Sequence, residues 1–205
     1  MHISEGVLSG HILITGTIAA TCGLVYSLRK LPWEHLMSVG VLSSAFFVAS
    51  LIHIPLGPAS VHLIMNGLMG AILGWAAIPA IIVALFLQYL LFQFGGLFVL
   101  GVNACVMGFP AVFCGILFRP LILKNSTRVV GAFCCGATAV ALSGVLFAMA
   151  MTFSGEDFIT PAGAVLLAHA PVMVIEGVLT MLIVSFLSKA MPDILSFSPG
   201  VRNAP

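Results

Sequence analysis

Met1 and His2 form a ready-made metal chelate when the chain starts there with a free amine. The amine and the His2 amide nitrogen close a five-membered ring on a metal. The same amide nitrogen and His2 Nδ1 close a six-membered ring. Three nitrogens then share one plane, and one further imidazole completes a square, a geometry that suits Ni(II) or Cu(II). Such ligands must be deprotonated, so affinity should fall at low pH. No Lys or Arg precedes the first apolar run, so no signal peptide is expected and the mature chain is expected to begin at Met1.

Other polar residues interrupt long apolar runs. In Ile54–His62, two prolines and a glycine break any helix, and His62 follows that break. Irregular backbone at membrane depth is tolerated where it lines a cavity or is buried in protein. His62 is therefore a candidate fourth ligand; the alternative is a helix-capping histidine. A second Gly-rich turn, Gly95–Asn103, ends in Asn103, which either steadies a ligand by hydrogen bonding or is a plain helix-end amide. His169 and Glu176 lie seven residues apart, on one face of a helix. Glu176 then needs a partner or a proton, and a buried structural hydrogen bond is the simpler role. Glu5 is expected to hydrogen-bond the folded-back N-terminus.

The elements that position these residues follow from composition. Of 205 residues, 61% are apolar and only 6% charged, against about 25% in an ordinary soluble domain. Mean hydropathy is +1.23. Such a chain cannot cover a soluble surface, which excludes a cytosolic enzyme, a disordered chain and a secreted disulfide scaffold. The net charge of +1 offers nothing to nucleic acid. Cys22, Cys105, Cys114, Cys134 and Cys135 lie in apolar runs without a Cys-x-x-Cys pair and are read as small buried hydrophobes. The sequence carries no GxxxxGK[ST] phosphate loop, so any ATP chemistry must come from another subunit.

The fold class expected is an all-α integral membrane protein with seven spans: 10–28, 36–54, 61–76, 78–94, 102–118, 129–153 and 164–187. Spans three and four are short, and Pro79 predicts a kinked hairpin between them. With the N-terminus outside and the C-terminus cytoplasmic, all seven basic residues fall inside: Arg29, Lys30, Arg119, Lys124, Arg128, Lys189 and Arg202. His2, His11, His53, His62 and His169 then lie near the outer ends of spans and only His35 lies inside, which predicts a polar, outward-facing cavity. Small residues at four-residue spacing (Gly16/Ala20, Ala19/Gly23, Gly70/Gly74) predict close helix packing or a partner-binding face. The whole chain, 1–205, is read as one domain, with residues 1–9 as the chelating segment and 190–205 as a cytoplasmic tail.

Met1-His2-Ile3-Ser4-Glu5-Gly6-Val7-Leu8 resembles the N-terminal signature of the cobalt/nickel transport membrane proteins, the CbiM/NikM substrate-binding S components of energy-coupling factor (ECF) transporters. The resemblance continues through 57–63, 66–68, 94–97, 101–103, 168–170 and 176–177. It implies a seven-helix S component with its N-terminus tucked into the bundle. It also implies a metal held by the Met1 amine, the His2 amide and imidazole nitrogens, and His62. Glu5, Ser60, Asn103, His169 and Glu176 are the expected supporting residues. Pro171 departs from the family pattern, in which that stretch contains glycine. The implied partners are a transmembrane T component, two ATPase subunits and a small accessory membrane subunit, in a prokaryotic plasma membrane. Ni(II) or Co(II) is expected as transported substrate, with no cofactor and no enzymatic activity. Two alternatives are an intramembrane metal-dependent hydrolase, which lacks an HExxH motif here, and a passive channel or sensor.

Overall fold

Length and hydropathy decide most of the elements in the computed structural model, which describes residues 2–32, 36–56 and 59–196. In chain order they are α1 (Gly10–Lys30), α2 (Leu36–Ala49), β1 (His53–Leu56), β2 (Ala59–His62), α3 (Asn66–Leu73), α4 (Ala77–Phe92), α5 (Leu100–Leu123), α6 (Arg128–Thr152), α7 (Ile159–Ala168), α8 (Ala170–Ala190) and α9 (Pro192–Ser196). Among the described residues, five helical stretches are long and apolar enough to cross a membrane: Gly10–Lys30, Asn66–Phe92, Leu100–Leu123, Arg128–Thr152 and Glu156–Ala190. Large apolar side chains stand exposed along them, Phe186 at 68% and Ile14 at 63%. Water would not tolerate such a surface, whereas lipid requires it.

The helical expectation holds for every long element, with one addition and three shifted boundaries. The addition is an antiparallel hairpin in which His53 faces His62 and Pro55 faces Ser60. The expected second span, 36–54, stops being helical at Ala49, where the chain turns into this hairpin. The expected third span, 61–76, is helical only from Asn66, because β2 and an extended link occupy its first residues. The last span starts earlier than expected, at Glu156, and is interrupted at His169. Pro171 explains that interruption: it has no N–H for the carbonyl one turn back.

The bend between the third and fourth spans falls at Gly74 (φ +54°) rather than at Pro79. Pro79 sits in the first turn of α4, where a missing N–H costs nothing. Asn66 reaches the Met107 carbonyl and Gly70 lies against Ala111, so α3 runs alongside α5 in the same sense. Ser43 donates to the Ala80 carbonyl at 2.8 Å and Gln88 bonds Ser50, so α4 runs with α2. Gly70 and Gly115 meet backbone to backbone, and a Cβ on either would overlap the other helix. Of the expected small-residue pair, Gly70 therefore serves packing and Gly74 serves the bend.

Candidate functional site

The segment before α1 folds into the bundle. Ile3 is 2% exposed, and both its backbone groups are taken by one side chain. Its N–H donates to Asn103 Oδ1 (3.0 Å), and Asn103 Nδ2 donates to its carbonyl (3.1 Å). Asn103 thus acts as a strand partner presented from the first turn of α5, and it is buried itself. The turn before α5 closes over the segment. Gly95 adopts φ +80°, and a Cβ there would come within 3.2 Å of Asn103 Nδ2 and 3.8 Å of His2 Cδ2. A Cβ on Gly96 would overlap the Glu5 side chain. Glu5 accepts from the Phe98 N–H at 3.2 Å, so its bond goes to this turn and not back to the N-terminal backbone. Beside it opens a cavity of about 360 Å³ lined by Glu5, Tyr89, Leu90, Gln93, Gly95 and Gly96.

Insertion brings His2 against His62, with ring centroids 4.8 Å apart and planes at 38°. Phe94 lies 6.2 Å from His2 on the turn side. His2 Nε2 meets Gln88 Oε1 at 2.6 Å. Burial pushes the His2 imidazole down from 6.5 to about 4, against the raising effect of that bond. The ring is therefore neutral at neutral pH, the form that ligates metals. His62 Nδ1–H donates to the Leu63 carbonyl at 3.0 Å. Because a carbonyl only accepts, Nδ1 carries a proton, and a neutral His62 has its lone pair on Nε2.

Glu176 answers the question of its partner. Fully buried on α8, its carboxylate accepts from the backbone N–H groups of Ile64 and Met65, the latter at 2.9 and 3.0 Å. Met65 sits in the left-handed region (φ 53°), a conformation costing about 1–2 kcal/mol for an L residue. A carboxylate from another helix thus ties down the strained link between His62 and α3. His169 is buried; Nδ1–H donates to the Val165 carbonyl at 2.7 Å, and Nε2 has no hydrogen-bond partner among the described residues.

The structure therefore brings His2, His62 and Asn103 to one place. Glu176 bonds the backbone of Ile64 and Met65 just after His62, and Ser60 lies on β2, two residues before it. His11 is exposed and bonds Ser9, away from the site. Met1 and His35 lie outside the described residues. All five cysteines are free, and only Cys114 and Cys135 are fully buried. Among the described residues no three His, Cys, Asp or Glu side chains cluster closely enough to hold a metal.

A family model described as "Cobalt uptake substrate-specific transmembrane region" matches residues 2–194. The chain belongs to this family. This chain is 38% identical over 200 residues to a putative metal transport protein of Haemophilus influenzae, covering 96% of this chain and 97% of that protein. It is 30% identical over 207 residues to a putative fused nickel transport protein, NikMN, of Archaeoglobus fulgidus, covering 95% of this chain and 68% of that one. The crystal structure of a transition metal transporter matches it with a TM-score of 0.79 at 26% identity, over 93% of both chains. The chain is thus a multi-pass membrane component of a cobalt-uptake family.

Sequence reasoning missed Gln88, which bonds the His2 ring, and Ser50, which bonds Gln88. The signal was there: Gln88 is the one amide in the otherwise apolar stretch Ala77–Phe92 and is completely buried. A polar group at such depth has a partner or a function.

Proposed function

We propose that this chain is the substrate-binding subunit of an ECF-type importer for Ni(II) or Co(II). The metal is taken by four nitrogens: the Met1 amine, the His2 amide nitrogen, His2 Nδ1 and His62. One observation carries this reading: the N-terminal segment is buried in the bundle with the His2 ring 4.8 Å from the His62 ring. Deprotonated amide ligation leans toward Ni(II) over Co(II).

In this reading the chain makes seven passes of alternating direction, with the site at the outer face of a prokaryotic plasma membrane. In this count α2 and α3 are the short passes. The alternating contacts along α1 to α5 support it, as does the positive-inside rule: Arg29 and Lys30 close α1, Lys124 follows α5 and Lys189 lies in the last turn of α8. Uptake is driven by two ATPase subunits acting through a transmembrane T component, with a small accessory membrane subunit. The fused architecture of the Archaeoglobus fulgidus relative supports such partnership, since about a third of that protein lies beyond the match.

The test is metal content and visible absorption of C-terminally tagged protein loaded separately with Ni(II) and Co(II). One equivalent of Ni(II) with a yellow, diamagnetic square-planar spectrum is the expected result. Stoichiometric binding of neither metal overturns the reading.

A further inference from the structure

A directional hydrogen-bond chain ends at His2. Ser50, the residue after α2, donates its hydroxyl proton to the Phe47 carbonyl at 2.6 Å. That proton is committed, because a carbonyl only accepts, so Ser50 Oγ serves Gln88 as an acceptor. Gln88 Nε2 donates to Ser50 Oγ. The sense of the Gln88 amide is thereby set: Nε2 faces Ser50 and Oε1 faces His2. At 2.6 Å from Oε1, the His2 Nε2 must carry a proton. A neutral imidazole protonated on Nε2 has its lone pair on Nδ1.

We propose that Gln88, oriented by Ser50, is a positioning residue that locks His2 into the Nε2–H tautomer and so presents Nδ1 bare to the incoming metal. The proposal rests on the reading that Nδ1 closes the six-membered chelate ring. In the opposite tautomer Nδ1 carries the proton and that ring cannot close until the proton moves. Glutamine suits the task because it accepts from His2 and donates to Ser50 while adding no charge to an apolar interior. Gln88 is 0% exposed and Ser50 4% exposed, so water is poorly placed to substitute for either. Outer partners that fix a ligating histidine in this way are worth 10- to 100-fold in metal affinity, roughly.

The experiment separates the lock from the site it serves. Metal-free, C-terminally tagged protein labelled with ¹⁵N-histidine is examined by long-range ¹H–¹⁵N NMR at pH 8, with Gln88→Leu, Gln88→Glu and Ser50→Ala alongside. His2→Gln assigns the signals. Wild type is expected to give a pyrrole-type Nε2 and a pyridine-type Nδ1 on His2. Gln88→Leu should bring both nitrogens toward averaged shifts and weaken Ni(II) binding roughly 10- to 100-fold. Ser50→Ala should give partial averaging. Gln88→Glu keeps an acceptor facing His2 and should restore the wild-type tautomer. Should Gln88→Leu fail to fold, Ser50→Ala and Gln88→Glu decide the matter by the same signals. Wild-type shifts in both Gln88→Leu and Ser50→Ala, or an Nδ1–H wild type, would overturn the lock. A wild type that holds the Nε2–H tautomer but takes up no Ni(II) overturns the site reading and leaves the lock standing.

Discussion

Asn103 holds Ile3 by both edges, accepting from its N–H at 3.0 Å and donating to its carbonyl at 3.1 Å. This one side chain converts a terminal segment into a fixed part of the bundle, one residue from His2. Asn103→Ala leaves a buried N–H and C=O without partners, each costing about 1–3 kcal/mol. Ni(II) affinity should fall at least tenfold, and protease should reach the segment. Asn103→Asp keeps the acceptor and loses the donor, so it should fall between wild type and Ala. Calorimetric titration with limited proteolysis measures both; full affinity in Asn103→Ala counts against a docked N-terminus.

One residue inserted between Met1 and His2 enlarges the fused rings and displaces the imidazole. Binding of Ni(II) should disappear, and an N-terminal tag that blocks the amine should do the same. Equilibrium dialysis reads the stoichiometry directly. Unchanged affinity in the inserted variant would remove the terminal amine from the ligand set.

His62 and His11 make a paired comparison. His62 lies 4.8 Å from His2, whereas His11 is exposed and bonds Ser9. His62→Ala should weaken binding by orders of magnitude and His11→Ala should leave it unchanged. Equal losses in the two variants would contradict the outer site.

The His2 ring gives the docked segment a pH dependence with a definite sign. Undocked, the imidazole takes a proton below its ordinary 6.5; docked, burial holds it neutral down to about 4. Acid therefore favours the undocked form, and docking strength is lost as pH falls from 6.5 toward 4. The loss reaches about 3 kcal/mol near pH 4, since each tenfold difference in proton affinity between the two forms is worth about 1.4 kcal/mol. Hydrogen exchange of the Ile3 amide at pH 7 and pH 4.5 should show protection falling beyond the intrinsic pH effect. Constant protection would mean that the ring is not buried in the docked form.

Glu176 anchors the link that carries His62. Glu176→Ala leaves the buried Ile64 N–H without an acceptor, at about 1–3 kcal/mol, and the half-buried Met65 N–H without its carboxylate partner. Thermal unfolding in detergent should drop by several degrees, and Ni(II) affinity should fall with it, because His62 loses its support. Glu176→Gln retains one acceptor oxygen and should recover part of both. A Glu176→Ala protein with wild-type stability would show that the link holds itself.

The sequence by itself determined the class of protein and the size of the chelate rings that Met1 and His2 would close on a metal. Thirteen charged residues in 205 force a lipid-facing surface, and the ring sizes set by Met1 and His2 are covalent facts independent of folding. Long apolar stretches also located α1, α5 and α6, because a helix buried in lipid must satisfy its backbone internally. The tertiary structure alone decided which polar groups meet. His62 ends a strand and does not start a helix, since Pro55 and the hairpin take residues that hydropathy counts as span. Gln88 reaches His2 across 86 residues of chain and Ser50 across 38, and Glu176 reaches Met65 across 111. Hydropathy patterning records only how a residue suits lipid or core. A hydrogen bond between distant elements depends on how the helices cross, which is fixed by close approaches such as Gly70 against Gly115.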